Sequence, residues 1–195
     1  MTFRRICVFC GSNLGSRPVY RAATEQLAAI LVQHGIELVY GGGNIGLMGI
    51  LADSVLADGG TVIGVIPDSL MAREVGHRGL TDLRVVSSMH ERKALMSDLS
   101  NAFLALPGGF GTFEEFCEVV TWSQLGIQEK PCGLLNVNGY YDPLLRLFDN
   151  AVREGFLHPD NRALVLDADD PERLLEKMSQ FRPTGVAKWI GREER

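Results

Sequence analysis

Two glycine-rich segments and a short set of charged residues carry the chemistry this sequence offers. The first segment, Gly41-Gly42-Gly43-Asn44-Ile45-Gly46-Leu47-Met48-Gly49, contains G-x-G-x-x-G at positions 41, 43 and 46. That spacing suits a tight turn with close helix–sheet packing as well as contact with a nucleotide, and the pattern alone leaves both open. The second, Pro107-Gly108-Gly109-Phe110-Gly111-Thr112, leaves backbone N–H groups free to converge on an anion at a helix N-terminus. It lacks the G-K-[ST] ending of a P-loop, so no lysine is placed for a β- or γ-phosphate and no hydroxyl for Mg2+. A nucleoside monophosphate suits it better than ATP.

Glu114, Glu115 and Glu118 set three carboxylates beside this second loop. Thr112 and Glu115 read as a capping box, which accounts for one of them, and compensation of the helix dipole accounts for the others. A role in general acid–base chemistry is the alternative. Upstream, Met89, Arg92, Leu95, Met96 and Leu99 recur at helical spacing and form one stripe, which puts Arg92 on the inward side, where a guanidinium calls for an anionic partner. Lys93 lies about 100° further round the helix, where solvation alone would satisfy it. His90 and Glu91 read as surface residues.

These groups need a scaffold, and the chain alternates short apolar runs with longer stretches of helical period. Six strands are expected at Arg4–Cys10, Glu37–Tyr40, Thr61–Ile66, Leu83–Val86, Ala102–Leu106 and Pro131–Leu135. Helices are expected near Pro18–His34, Gly46–Asp58, Met89–Leu99, Thr112–Leu125, Pro143–Glu154 and Pro171–Gln180. The pattern predicts an α/β, Rossmann-like, doubly wound and mostly parallel sheet with helices on both faces. Such sheets bind ligands at the carboxyl ends of their strands. Pro67–Asp82 interrupts the rhythm and carries Arg73, Glu74, His77 and Arg78; a partial lid and a solvated excursion with a short helix of its own are both open. The division expected is one domain over 1–181 and a polar tail over 182–195.

With 195 residues, 46% of them hydrophobic and 22% charged, one globular domain with a sizeable core is expected. The net charge of −5 offers no cationic field for a nucleic-acid backbone, and no apolar run is long enough for a membrane helix or a signal peptide. A cytoplasmic protein with a small-molecule ligand is expected. Cys7 and Cys10 form C-x-x-C inside a strand, where residues three apart face opposite ways and cannot share a metal. Cys117, Cys132 and the four histidines lack ligand spacing, so no metal site is expected.

Taken together, the first glycine segment, Met89-His90-Glu91-Arg92-Lys93 and Pro107-Gly108-Gly109-Phe110-Gly111-Thr112-Phe113-Glu114-Glu115 resemble the LONELY GUY (LOG) family of cytokinin-activating phosphoribohydrolases. The hallmark P-G-G-x-G-T-x-x-E is complete, and the resemblance runs from about Ile6 to Phe156. It implies cleavage of the N-glycosidic bond of a purine riboside 5′-monophosphate, with adenine or an N6-modified adenine as base, to free base and ribose 5-phosphate without a cofactor. By the same resemblance Arg92 and Glu115 are catalytic. Substrate binding falls to Gly108, Gly109, Gly111 and Thr112 as the phosphate cradle, with Lys93, Thr121, Glu74, Gly42, Gly43 and Met48. Relatives have carried the label lysine decarboxylase, but of Lys93, Lys130, Lys177 and Lys188 only Lys93 lies in a site motif that could offer a Schiff-base amine.

A carboxylate such as Glu115 can stabilise the positive charge that builds on the sugar, or orient water, while Arg92 binds an anionic group or assists departure of the base. The competing readings are a noncatalytic nucleotide-binding or sensor protein using the same loops, and a dinucleotide-dependent oxidoreductase resting on Gly41–Gly46 and Asp68. Arg92 and Glu115 favour the enzyme. Surplus apolar residues on the helix Thr112–Leu125, among them Phe113, Val120 and Trp122, point to a homodimer.

Overall fold

The β-branched and apolar runs become seven strands in a computed structural model that describes residues 3–71 and 76–183. They are β1 (Arg5–Phe9), β2 (Glu37–Tyr40), β3 (Val62–Pro67), β4 (Asp82–Val86), β5 (Ala102–Ala105), β6 (Cys132–Leu135) and β7 (Val165–Ala168). The sheet order is β4-β3-β2-β1-β5-β6-β7. Every pairing is parallel, so the sheet is wholly rather than mostly parallel.

Helices α1 (Pro18–Gln33), α2 (Gly46–Ala57), α3 (Asp68–Met71), α4 (Met89–Leu99), α5 (Phe110–Gln124), α6 (Asp142–Arg153), α7 (Pro159–Arg162) and α8 (Pro171–Gln180) complete the fold. One core lies under α1, α2 and α8, and a second under α4, α5 and α6. β1 alternates between them: Ile6, Val8 and Cys10 enter the first, Cys7 and Phe9 the second. Cys7 and Cys10 thus point apart, as the strand period requires, and all four cysteines are free. Burial raises both thiols well above their ordinary value and pushes Cys132 up to about 12, which makes them packing groups. Among the described residues no group of three His, Cys, Asp or Glu side chains could hold a metal, and no helix is long and apolar enough to cross a membrane.

Two expectations need correction. β7 is a seventh strand, at the edge beside β6, where six were expected. Its sequence, Val-Leu-Asp-Ala, has one β-branched residue and an acid, a weak signal rescued by pairing with Cys132–Leu135. The second concerns α5, which begins at Phe110 rather than Thr112.

The chain builds outward from β1 to β4 and then returns to the other side of β1 as β5. Strand order therefore reverses between β1 and β5, and their carboxyl ends open a crevice there. Leu106 N donates to Phe9 O at 2.9 Å and Gly11 N to Pro107 O at 3.1 Å, fastening the two strand exits together.

Candidate active site

The β5–α5 loop enters its helix through Gly109, whose extended backbone forms the N-cap without a side-chain hydrogen bond. Thr112 lies within the first turn, is 3% exposed, and packs over Gly108, where a Cβ would come 2.0 Å from Thr112 Oγ1. The expected capping box is therefore not formed: glycines at 109 and 111 let the chain turn into the helix before Thr112 can cap it. A Cβ at Gly109 or Gly111 would meet nothing within 4 Å, so the start of α5 presents bare backbone, the form of an anion cradle.

The first glycine loop is occupied mainly with packing. Gly42 and Gly46 adopt φ of 75° and 59°, and a Cβ on Gly46 would lie 2.2 Å from the Ser12 carbonyl carbon. Leu47 N donates to Gly11 O at 3.0 Å, so this loop leans on the β1–α1 loop at the switch point. Gly43 pairs with Gly76 in an antiparallel bridge, and His77 N donates to Gly42 O at 3.0 Å. His77, 7% exposed, meets Asp53 Oδ1 through Nε2 at 2.8 Å. The excursion after β3 thus contains the short helix α3 and is pinned at its far end to the glycine loop. Arg73 and Glu74 lie outside the described residues. Met48 is buried on α2. Asp68 is exposed and accepts a hydrogen bond from Ser69 N at 2.6 Å.

Arg92 is buried, as the helical stripe predicts, but its guanidinium meets main-chain oxygens: Nε donates to Val65 O at 3.1 Å and Nη2 to Gly41 O at 3.0 Å. These carbonyls, at the carboxyl ends of β2 and β3, fix the guanidinium by charge-assisted hydrogen bonds and leave its positive charge in place for an anion. Burial pushes the Cys7 thiol up, the charge of Glu115 adds to that shift and the charge of Arg92 opposes it. Both side chains therefore lie near the end of β1, and the charge of Glu115 is felt by Cys10 as well.

Lys93 is not merely solvated. Its side chain is 13% exposed and its Nζ donates to Glu114 at 2.7 Å and to Glu118 at 2.9 Å, tying α4 to α5. Burial alone would lower its pKa, but the hydrogen bonds and charges of the two glutamates outweigh that and raise it. Two of the three carboxylates are thus committed to Lys93. Glu115 lines a crevice with Phe9, Phe103, Trp122, Lys93 and Glu118. Thr121 is further along α5, exposed, and donates to Cys117 O within its own helix at 2.7 Å. His90 and Glu91 are exposed, and Glu91 accepts hydrogen bonds from Ser87.

Sequence reasoning passed over Gly11-Ser12-Asn13 at the exit of β1, although a glycine between a strand and a helix was a signal. It also passed over Tyr140, whose hydroxyl donates to Gly108 O.

The family model described as "possible lysine decarboxylase" matches residues 48–178. A probable cytokinin riboside 5′-monophosphate phosphoribohydrolase of Oryza sativa subsp. japonica is 56% identical over 179 residues, covering 92% of this chain and 80% of its own. A cytokinin riboside 5′-monophosphate phosphoribohydrolase of Arabidopsis thaliana is 50% identical over 181 residues, covering 93% and 85%. The chain belongs to the LOG family. Among solved structures, a molybdenum cofactor binding protein from Rippkaea orientalis aligns with TM-score 0.68 at 22% identity, covering 92% of this LOG chain and 98% of that one. The molybdenum cofactor carrier protein of Chlamydomonas reinhardtii aligns with TM-score 0.67 at 20% identity, covering 90% and 96%. At that identity the likeness is one of fold, and it carries the parallel α/β sheet of the LOG chain without its chemistry.

Proposed function

We propose that this protein is a cytokinin riboside 5′-monophosphate phosphoribohydrolase that hydrolyses the N-glycosidic bond of adenine or N6-modified adenine riboside 5′-monophosphates. The observation that carries the reading is the pairing of a bare helix N-terminus at Gly109–Gly111 with Glu115, less than two turns into the same helix. The phosphate binds the backbone of Gly108, Gly109, Gly111 and Thr112, which leaves the ribose within reach of α5.

As the bond between C1′ and the base breaks, positive charge gathers on the sugar. A fixed carboxylate at Glu115 stabilises that transition state more than the ground state. Water adds its oxygen to C1′ and its proton leaves with the base, giving free base and ribose 5-phosphate. Arg92, locked by the carbonyls of Gly41 and Val65, supplies a fixed positive charge for the anionic substrate or the departing base. Lys93 keeps Glu114 and Glu118 out of that role while helping to bind the nucleotide. Gly42, Gly43 and Met48 shape the neighbouring wall, and Glu74 and Thr121 are assigned to substrate by resemblance.

Decarboxylation through a Schiff base fits poorly. Such chemistry wants an amine of lowered pKa, whereas that of Lys93 is raised by its two glutamates. Lys130 has a lowered pKa, through burial, but it precedes β6, at the opposite end of the sheet from the glycine loops.

The protein acts as a homodimer in the cytoplasm. Supporting this are Phe110, Leu125 and Ile127, exposed at the two ends of α5, and four unpaired thiols suited to a reducing compartment. The test of the function compares AMP with adenosine: release of adenine from AMP with little from adenosine supports it, and equal rates overturn the phosphate cradle. Titration with NAD and NADP tests the oxidoreductase alternative; tight binding of either, with none of AMP, overturns the monophosphate reading.

A further inference from the structure

Two consecutive tyrosines from a neighbouring connection hold the carbonyls of the loop after β5. Tyr140 and Tyr141 follow the 3-10 turn Val137–Gly139 that leaves β6. Tyr140 Oη donates to Gly108 O at 2.5 Å, and Tyr141 Oη donates to Leu106 O at 2.6 Å. The turn is braced by Asn136, whose Oδ1 accepts from Tyr141 N at 2.7 Å and whose Nδ2 donates to Asp142 Oδ1 at 2.8 Å. The Tyr140 ring lies edge-on to Tyr20 at 5.9 Å and to Tyr141 at 5.1 Å, and stacks on Phe113 at 6.5 Å.

In a trans peptide the C=O of one residue and the N–H of the next point in opposite directions. Holding the Gly108 carbonyl therefore turns the Gly109 N–H away from Tyr140. The Pro107 carbonyl, held by Gly11 N at 3.1 Å, fixes the Gly108 N–H in the same way. At two successive glycines these peptide planes would otherwise rotate freely. Tyr141 is different, because the residue after Leu106 is Pro107, which has no N–H to aim. Its bond braces the loop without orienting a donor.

We infer that Tyr140 is a positioning residue for the substrate phosphate: by holding the Gly108 carbonyl it presets the Gly109 N–H as a donor to the anion. This rests on the phosphate reading of the β5–α5 loop given above. Burial raises the Tyr140 pKa and Tyr20 adds to the rise, and donation to a carbonyl needs the protonated hydroxyl, which therefore stays a donor at neutral pH.

Tyr140→Phe removes one hydroxyl and keeps the ring, and Tyr141→Phe is the internal control. Titration with AMP, inorganic phosphate and adenosine, together with kinetics on AMP and thermal melting, separates the roles. Tyr140→Phe raises the Kd for AMP and phosphate and the KM for AMP by about five- to tenfold, the worth of one hydrogen bond, with kcat within about twofold. Its adenosine affinity stays at the wild-type value. Tyr141→Phe lowers the melting temperature and leaves AMP affinity unchanged. AMP affinity within about twofold of wild type in Tyr140→Phe, or equal losses of affinity in both variants, overturns the proposal. Wild-type protein that binds neither AMP nor phosphate overturns the phosphate reading itself, and the proposal with it.

Discussion

Arg92 on α4 donates through Nη2 to the carbonyl of Gly41 at 3.0 Å, joining residues 51 positions apart in sequence. Its Nε reaches Val65 O at 3.1 Å, so the guanidinium is docked against the carboxyl ends of two adjacent strands. A buried cation would be costly without such partners, and two charge-assisted hydrogen bonds to main-chain dipoles fix both its position and its plane. That fixed charge stands at the end of the sheet where the glycine loops meet.

Gly41→Ala tests this arrangement. A Cβ at Gly41 would lie 2.1 Å from Arg92 Nη2, and φ there is not positive, so the side chain of Arg92 must yield rather than the backbone. Displacing a catalytic group by about 1 Å can cost about 100-fold in rate. Steady-state kinetics on AMP should show kcat/KM reduced by about that factor, with a melting temperature lower by only a few degrees. Unchanged kcat/KM would remove Arg92 from the mechanism.

Gly111→Ala should separate stability from binding. Nothing lies within 4 Å of a Cβ there, and alanine is favoured over glycine inside a helix by about 0.5–1 kcal/mol. The variant should melt at or above the wild-type temperature, yet its methyl group intrudes on the bare start of α5. Titration calorimetry should report AMP binding weaker by about tenfold or more. Binding unchanged from wild type would place the phosphate elsewhere.

Much of this architecture was legible in the sequence, and the gaps have physical causes. Strands β1 to β6 announce themselves as short β-branched or apolar runs, most of them followed by helices, and Arg92 reveals itself by its place in an apolar stripe. β7 does not, because Val165–Ala168 has a weak propensity and acquires its conformation by pairing with β6. Thr112 misleads because the S/T-x-x-E spacing is indifferent to glycines that start the helix before it. The commitment of Glu114 and Glu118 to Lys93 joins helices 21 and 25 positions apart, and the reach of Tyr140 to Gly108 spans 32. Local periodicity carries no information on such contacts.

Lys93→Met should release both glutamates and act on stability with a defined pH dependence. The pKa of Lys93 is raised on folding from its ordinary 10.5, so its contribution is complete below that value and is lost as pH rises through the folded one. Glu114 is half exposed, which limits the pair of bridges to about 1 kcal/mol. Melting from pH 7 to 11 should therefore show wild type above Lys93→Met at neutral pH, with the difference shrinking in the alkaline range. A difference that grows with pH would contradict the assignment.

The central claim is that Glu115 acts directly in breaking the bond between base and sugar. The most direct measurement incubates purified protein with AMP and with its N6-prenylated analogue, quantifies free base and ribose 5-phosphate, and runs Glu115→Gln beside Glu114→Gln. Wild type should release the two products in equal amounts. Glu115→Gln should lose about 100-fold or more of that rate while still binding nucleotide, and Glu114→Gln should keep most of it. Base release undiminished in Glu115→Gln, or no release by wild type despite nucleotide binding, would contradict the account.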